Sequence, residues 1–125
     1  GLPITKTAIE YAENVQKRLS KFLVAGPIVA MVIEGAHVIQ HVRKLVGHGS
    51  PLQADVGTIR ADFTIDSYLL ADEADRVARN LVHASSSVEE AEREIKVWFK
   101  EEEISDYELA IERILYSKEW EQKNS

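Results

Sequence analysis

The sequence predicts an α+β chain whose sheet is incomplete, and three observations carry that reading. A β-branched run from Ile28 to Ile33 and a short stretch from Asn80 to Ala84 mark strands, and three or four longer segments carry apolar residues at helical spacing. A two-stranded sheet is marginal alone. Either the helices close the core unaided, or further strands come from sequence outside this chain or from a partner. At 125 residues, with 45% hydrophobic and 29% charged composition, a single domain over residues 1–125 is expected. That composition excludes disordered and collagen-like chains.

The elements follow in order. Ala8, Ala12, Val15, Leu19, Phe22 and Leu23 recur at steps of three and four, as on an amphipathic helix, and Gly26-Pro27 ends it. Ile28 to Ile33 is the longest apolar run and is closed by Glu34-Gly35, so it predicts a strand buried on both faces. Val38, Ile39, Val42, Leu45 and Val46 return to helical spacing within Ala36 to Val46, with Gly47 as the stop. Gly47 to Arg79 is a long excursion with one short helix expected near Leu69 to Asp75. Connections of that length are functional or disordered.

Asn80 to Ala84 predicts a second short strand. Ser85-Ser86-Ser87 supplies a helix cap, because both Ser86 with Glu89 and Ser87 with Glu90 have capping-box spacing. Val88, Ala91, Ile95, Trp98 and Phe99 mark the buried face of that helix. A mixed segment runs from Glu101 to Tyr116, and Lys118 to Ser125 is a polar tail.

Charge narrows the function classes. Fifteen basic and 21 acidic residues give a net charge of −6. This argues against broad capture of nucleic acid or anionic membrane, while leaving room for a local basic pocket that takes a small phosphate ligand. No apolar run approaches the roughly 20 residues a spanning helix needs, and no signal peptide opens the chain. Cysteine is absent. Disulfides, thiolate metal sites and cysteine nucleophiles are thereby excluded, which suits a reducing cytosol. The only methionine is Met31, so further sequence upstream of Gly1 is expected.

Among the histidines, His37 and His41 are four apart on a predicted helix and with His48 could face one metal ion. Without an accompanying acidic ligand motif, they are expected instead as exposed helix residues opposite the Val38/Val42 stripe. His83 stands at a strand end, directly before a serine-rich helix N-terminus where backbone N–H groups and the helix dipole favour anions. Asn80 precedes it by three residues, and Glu94, two turns into the helix, can fold back towards the imidazole. A carboxylate on one ring nitrogen fixes the tautomer and leaves the other nitrogen as a nucleophile. Arg43 and Arg60 could reach one phosphate-filled cleft, or simply solvate the surface. Spacing alone leaves both readings open.

Three blocks together resemble the nucleoside diphosphate kinase family. They are Gly26 to Val32 with Glu34-Gly35, Gly57 to Phe63, and Arg79 to Ser85 continuing to Glu89, Glu94 and Trp98-Phe99. The similarity runs from about Leu19 to Tyr116, and the Asp66 to Val77 insertion resembles archaeal members. The resemblance implies a four-stranded antiparallel sheet of ferredoxin-like type covered by helices, of which this chain supplies only the C-terminal part. It implies transfer of the γ-phosphate from ATP or another nucleoside triphosphate to a nucleoside diphosphate through a phosphohistidine. His83 matches the nucleophile, Glu94 the carboxylate that orients it, and Ser85 the hydroxyl that steadies that carboxylate. Arg43 and Arg60 match phosphate-binding arginines that work beside Mg²⁺ carried by the nucleotide, Asn80 the sugar-binding group and Val77 the apolar contact to the base.

The resemblance further implies a cytoplasmic homo-oligomer, hexameric or tetrameric, with no membrane or nucleic-acid partner. Four positions depart from the family pattern. Gly49 stands where a phosphate-binding threonine is usual, Ser86 where aspartate is common, Val15 where an aromatic residue stacks on the base, and Val56 where proline is usual. The family's N-terminal Lys-Pro-Asp strand has no counterpart in this sequence. The alternative is a non-catalytic relative or fragment acting as a nucleotide-binding or assembly module, and a plainer one is a helical interaction domain.

Overall fold

The computed structural model describes residues 7–116. Thr7 opens α1 (Ala8–Leu23) with a reciprocal cap: its hydroxyl accepts from the Glu10 N–H while the Glu10 carboxylate accepts from the Thr7 N–H. The helix stops at Val24, just before Gly26-Pro27. The chain then runs without regular structure through residues 28–34 to α2 (Val38–Val46), which Gly47 terminates at φ 86°. Both helices match the predicted spans within two residues.

The excursion after α2 is more structured than predicted. It contains a 3₁₀ turn (Pro51–Gln53), α3 (Ile59–Phe63) and α4 (Tyr68–Glu73). Thr58 caps α3 and Ser67 caps α4, each hydroxyl accepting the N–H three residues on. Helix α3 packs on the 3₁₀ turn and on α2. Only α4 was expected; the caps of the other two are ordinary Ser and Thr residues in a stretch with no apolar rhythm.

Helix α5 (Val88–Trp98) begins at Ser87, whose hydroxyl accepts from Glu90 N–H at 3.1 Å, which settles the choice between the two capping pairs. A 3₁₀ turn (Glu101–Glu103) and α6 (Glu112–Leu115) follow. The predicted polar tail from Lys118 lies outside the described residues.

Two expectations need correction. Among the described residues there is no strand: both 28–33 and 80–84 are irregular chain. Among the described residues no backbone hydrogen bond joins 28–33 to another segment, and instead of being buried on both faces the run leaves Val29 89% exposed. A strand exists only through its ladder, and a β-prone run without a neighbour stays extended and open. The α5 face is also less covered than expected, with Ala91, Ile95 and Phe99 half-buried and Val88 and Trp98 exposed.

Burial is concentrated elsewhere. The buried residues include Val46, Ser50, Pro51, Thr58, Arg60, Asp66, Ser67 and Ala71, all between α2 and the middle of α4. Asp66 organises this region. Its carboxylate accepts Arg76 Nη1 at 2.6 Å, Arg76 Nη2 at 3.1 Å, the Arg79 N–H at 2.7 Å and the Ser67 N–H at 2.8 Å. The Arg76 guanidinium holds the Asp66 carboxyl well below the usual carboxylate range, against the opposing effect of burial. Arg18 ties α1 to the same region, donating to Asp72 Oδ1 at 3.1 Å and to the Arg76 carbonyl at 3.0 Å.

Candidate active site

The segment before His83 is a tight γ-turn instead of the predicted strand end. Val82 N–H donates to the Asn80 carbonyl at 2.8 Å across Leu81, whose φ of 68° is uncommon for a branched side chain. Local strain of this kind persists only where the surroundings over-determine it. Here they do: Arg60 Nη2 donates to the Val82 carbonyl at 2.6 Å and Arg43 Nη1 to the Ala84 carbonyl at 3.3 Å, one on each side of His83.

The His83 ring is oriented from α5. Its Nε2 lies 2.9 Å from Glu94 Oε1 and 3.0 Å from Oε2, and Ser85 Oγ donates to Oε2 at 2.7 Å. An ionised carboxylate only accepts, so Nε2 carries the proton and Nδ1 keeps its lone pair. No described residue bonds Nδ1, and the side chain is 71% exposed. Glu90 stands nearby, held below the usual carboxylate range by the Ser86 hydroxyl and N–H, both 2.6 Å from its Oε2.

The arginines share the site unequally. Arg43 is exposed on α2, whereas Arg60 is only 5% exposed on α3. Arg60 Nη1 donates to the Gly47 carbonyl at 3.0 Å, its Nε is buried without a partner, and no carboxylate pairs with it. Burial and then the like charge of Arg43 lower its pKa, with Tyr68 opposing them. A buried cation beside another cation, hydrogen-bonded only to carbonyls, is electrostatically suited to an anionic neighbour.

Asn80 and Gly49 belong to the same cluster, Asn80 Nδ2 donating to the Gly49 carbonyl at 3.0 Å. The turn that contains Gly49 is closed by the Ser50 N–H donating to His48 Nδ1 at 3.0 Å. His83, Glu94, Ser85, Arg43, Arg60, Asn80 and Gly49 therefore converge. Val77 does not bond to them: it is half-buried outside the turn, with its carbonyl taken by Arg76 Nη1 at 3.0 Å. His37 is the left-handed N-cap of α2 and His41 an exposed α2 residue. Among the described residues no group of three His, Asp or Glu is placed to hold a metal ion. No helix among them is long and apolar enough to cross a membrane.

Sequence reasoning missed Asp66 and Tyr68. Asp66 had a faint signal in the Asp-Ser pair before α4, an order suited to a helix cap. Tyr68 had none, since its relation to Gly49 exists only in space.

Comparison with known proteins places the chain among relatives. A relative from Pyrobaculum aerophilum, named nucleoside diphosphate kinase, is 51% identical over 100 residues, covering 80% of this chain and 55% of that protein. The crystal structure of an NDP kinase from the same organism superposes with a TM-score of 0.76 at 50% identity, covering 78% of this chain and 54% of that one. A transition-state mimic of nucleoside-diphosphate kinase from Borrelia burgdorferi, with bound vanadate and ADP, gives a TM-score of 0.78 at 38% identity, covering 85% and 63%. The chain thus spans a little over half the length of the first of these curated relatives. The family profile described as nucleoside diphosphate kinase matches residues 8–104, which take in every element from α1 to α5, and the chain belongs to that family.

Proposed function

We propose that this chain carries the phosphohistidine centre of a nucleoside diphosphate kinase, with His83 as the transient phosphate carrier. The observation that carries the reading is the imidazole itself: Nε2 is held by Glu94 at 2.9 and 3.0 Å while Nδ1 is unbonded on an exposed ring. The Borrelia relative binds vanadate, an analogue of a transferring phosphoryl group, together with ADP, and this supports the same chemistry here.

In the first half-reaction the Nδ1 lone pair attacks the γ-phosphorus of ATP or another nucleoside triphosphate. The N–P bond forms as the bond to the β–γ bridging oxygen breaks, and that oxygen leaves with the electron pair on the nucleoside diphosphate. The ring keeps its Nε2 proton, and Glu94, steadied by Ser85, balances the positive charge the ring acquires. A terminal oxygen of a second nucleoside diphosphate then attacks the phosphorus and returns His83 to its starting form. Arg43 and Arg60 compensate the phosphate charge, Asn80 holds the sugar 3′-hydroxyl and Val77 lines the base.

Mg²⁺ would arrive with the nucleotide and would partly neutralise its phosphate charge. The donor set fits that division, since the cationic Arg43 and Arg60 suit the phosphates and the Asn80 amide suits a hydroxyl. On this reading residues 1–125 form one domain whose ferredoxin-like sheet is completed by strands outside this chain. The assembly is a cytoplasmic hexamer or tetramer, and the open 28–33 run is consistent with a missing sheet neighbour.

The test is incubation of the full chain with γ-labelled ATP and Mg²⁺. An acid-labile, alkali-stable phosphoprotein is expected, and His83→Ala abolishes it. Absence of label on the unsubstituted protein would overturn the proposal.

A further inference from the structure

The turn from Gly47 to Ser50 is held by Arg60 at the Gly47 carbonyl and by Asn80 at the Gly49 carbonyl, each at 3.0 Å. A third group closes over it. Tyr68, the first residue of α4, follows Asp66 and Ser67, both buried and both hydrogen-bonded, so its backbone is fixed. Its ring meets the His48 ring edge-on, with centroids 6.5 Å apart at 61°. Its hydroxyl lies directly over Gly49, where a Cβ would sit 2.5 Å from Oη. That is closer than real Cβ atoms approach, so the phenol occupies room that exists because residue 49 has no side chain.

The phenol thus stands over the same turn whose Gly47 carbonyl the buried Arg60 guanidinium holds. Its Oη makes no hydrogen bond to any described residue, and Tyr68 is about half exposed. A hydroxyl placed in this way has a donor to offer to whatever binds beside Arg60.

Resting on the phosphotransferase reading above, we infer that Tyr68 is a further nucleotide-binding residue, its hydroxyl donating a hydrogen bond to a phosphate oxygen of the bound nucleoside diphosphate. The hydroxyl that residue 49 does not supply comes from a different element. Gly49 and Tyr68 then form a coupled pair: a side chain at 49 and a phenol at 68 compete for one space.

The test measures Mg-ADP binding by the full chain and by its Tyr68→Phe, Gly49→Thr and Gly49→Thr/Tyr68→Phe forms. Tyr68→Phe is expected to weaken binding about tenfold, the worth of one hydrogen bond to a charged group, with the ligand-free melting temperature unchanged. The loss has the same size with 3′-deoxy-ADP, because the contact is to phosphate and not to the sugar hydroxyl. Gly49→Thr alone also weakens binding, through the clash with Oη. The double form recovers most of the affinity, since the ring carbon Cζ lies an ordinary 3.8 Å from a Cβ at 49 and threonine restores a hydroxyl.

If Tyr68→Phe binds ADP as tightly as the unsubstituted chain, the inference fails while the phosphotransferase reading stands. A loss that disappears with 3′-deoxy-ADP, or one matched by a lower ligand-free melting temperature, overturns it as well. If the unsubstituted chain neither binds Mg-ADP nor forms the phosphoprotein, both readings fall.

Discussion

Between Val46 and Arg79 the buried groups are mostly polar, and nearly all have hydrogen-bond partners, whereas the apolar runs at 28–33 and along α1 and α5 lie largely open. The first region is specified by short-range polar geometry: caps at Thr58 and Ser67, the Asp66 carboxylate with its four donors, and Arg60 bridging two carbonyls. Each of these contacts closes within the chain. The second region is specified by hydrophobicity, which is non-directional and needs a facing surface. The comparison teaches that a polar cluster can close nearly all of its hydrogen bonds while apolar runs elsewhere in the chain still lack cover.

Removing the polar linchpin should break this contrast most severely. Arg60→Met leaves the Gly47 and Val82 carbonyls without their buried donor and is expected to lower the unfolding free energy by roughly 2–4 kcal/mol. Mg-ADP binding should disappear with it. Arg43→Met, which removes one exposed 3.3 Å contact, should cost less than about 1 kcal/mol. Denaturant unfolding and nucleotide titration of both variants measure the difference, and equal costs would show that burial is not what sets Arg60 apart.

Asp66→Asn comes next, at roughly 2–3 kcal/mol, because the amide replaces a charged acceptor of four hydrogen bonds. Its pH dependence sharpens the point. Arg76 depresses the folded-state pKa of Asp66 from its ordinary 3.8, so the unfolded chain takes up the proton first as pH falls. The stabilisation is therefore complete above about pH 4 and fades as pH drops below the ordinary value towards the depressed one. Thermal melts between pH 3 and 7 should show this loss in the unsubstituted chain, with a shallower slope in Asp66→Asn.

The smallest effect belongs to the open region. Val29→Ser, at a side chain 89% exposed, should change the stability of the 125-residue chain by less than about 0.5 kcal/mol. A denaturant midpoint shifted by much more would mean that the 28–33 run packs against something in solution, and would remove the contrast between the regions.

The sequence was informative wherever the determining interaction is local. The apolar rhythm of α1 and α2, the Gly47 stop, the Ser87 cap with Glu90, and the approach of Glu94 to His83 all follow from spacings of a few residues or one helical face. The strands expected at 28–33 and 80–84 are not formed among the described residues, because a strand is a relation between segments and composition alone supplies no partner. At 80–84 the backbone instead turns sharply at Leu81.

What the amino-acid order determined by itself was thus the helices, the caps and the pairing of Glu94 with His83 across one helical face, since these depend on neighbours along the chain. Tertiary structure alone decided that Arg60 is buried and unpaired by any acid, that Asp66 gathers four donors, and that the Tyr68 hydroxyl fills the space over Gly49. Apart from the Ser67 N–H next to Asp66, those facts join positions 10 to 22 residues apart. Contacts of that kind leave no periodic trace for a linear reading to find, because their geometry is set by how several short elements close on one another in space.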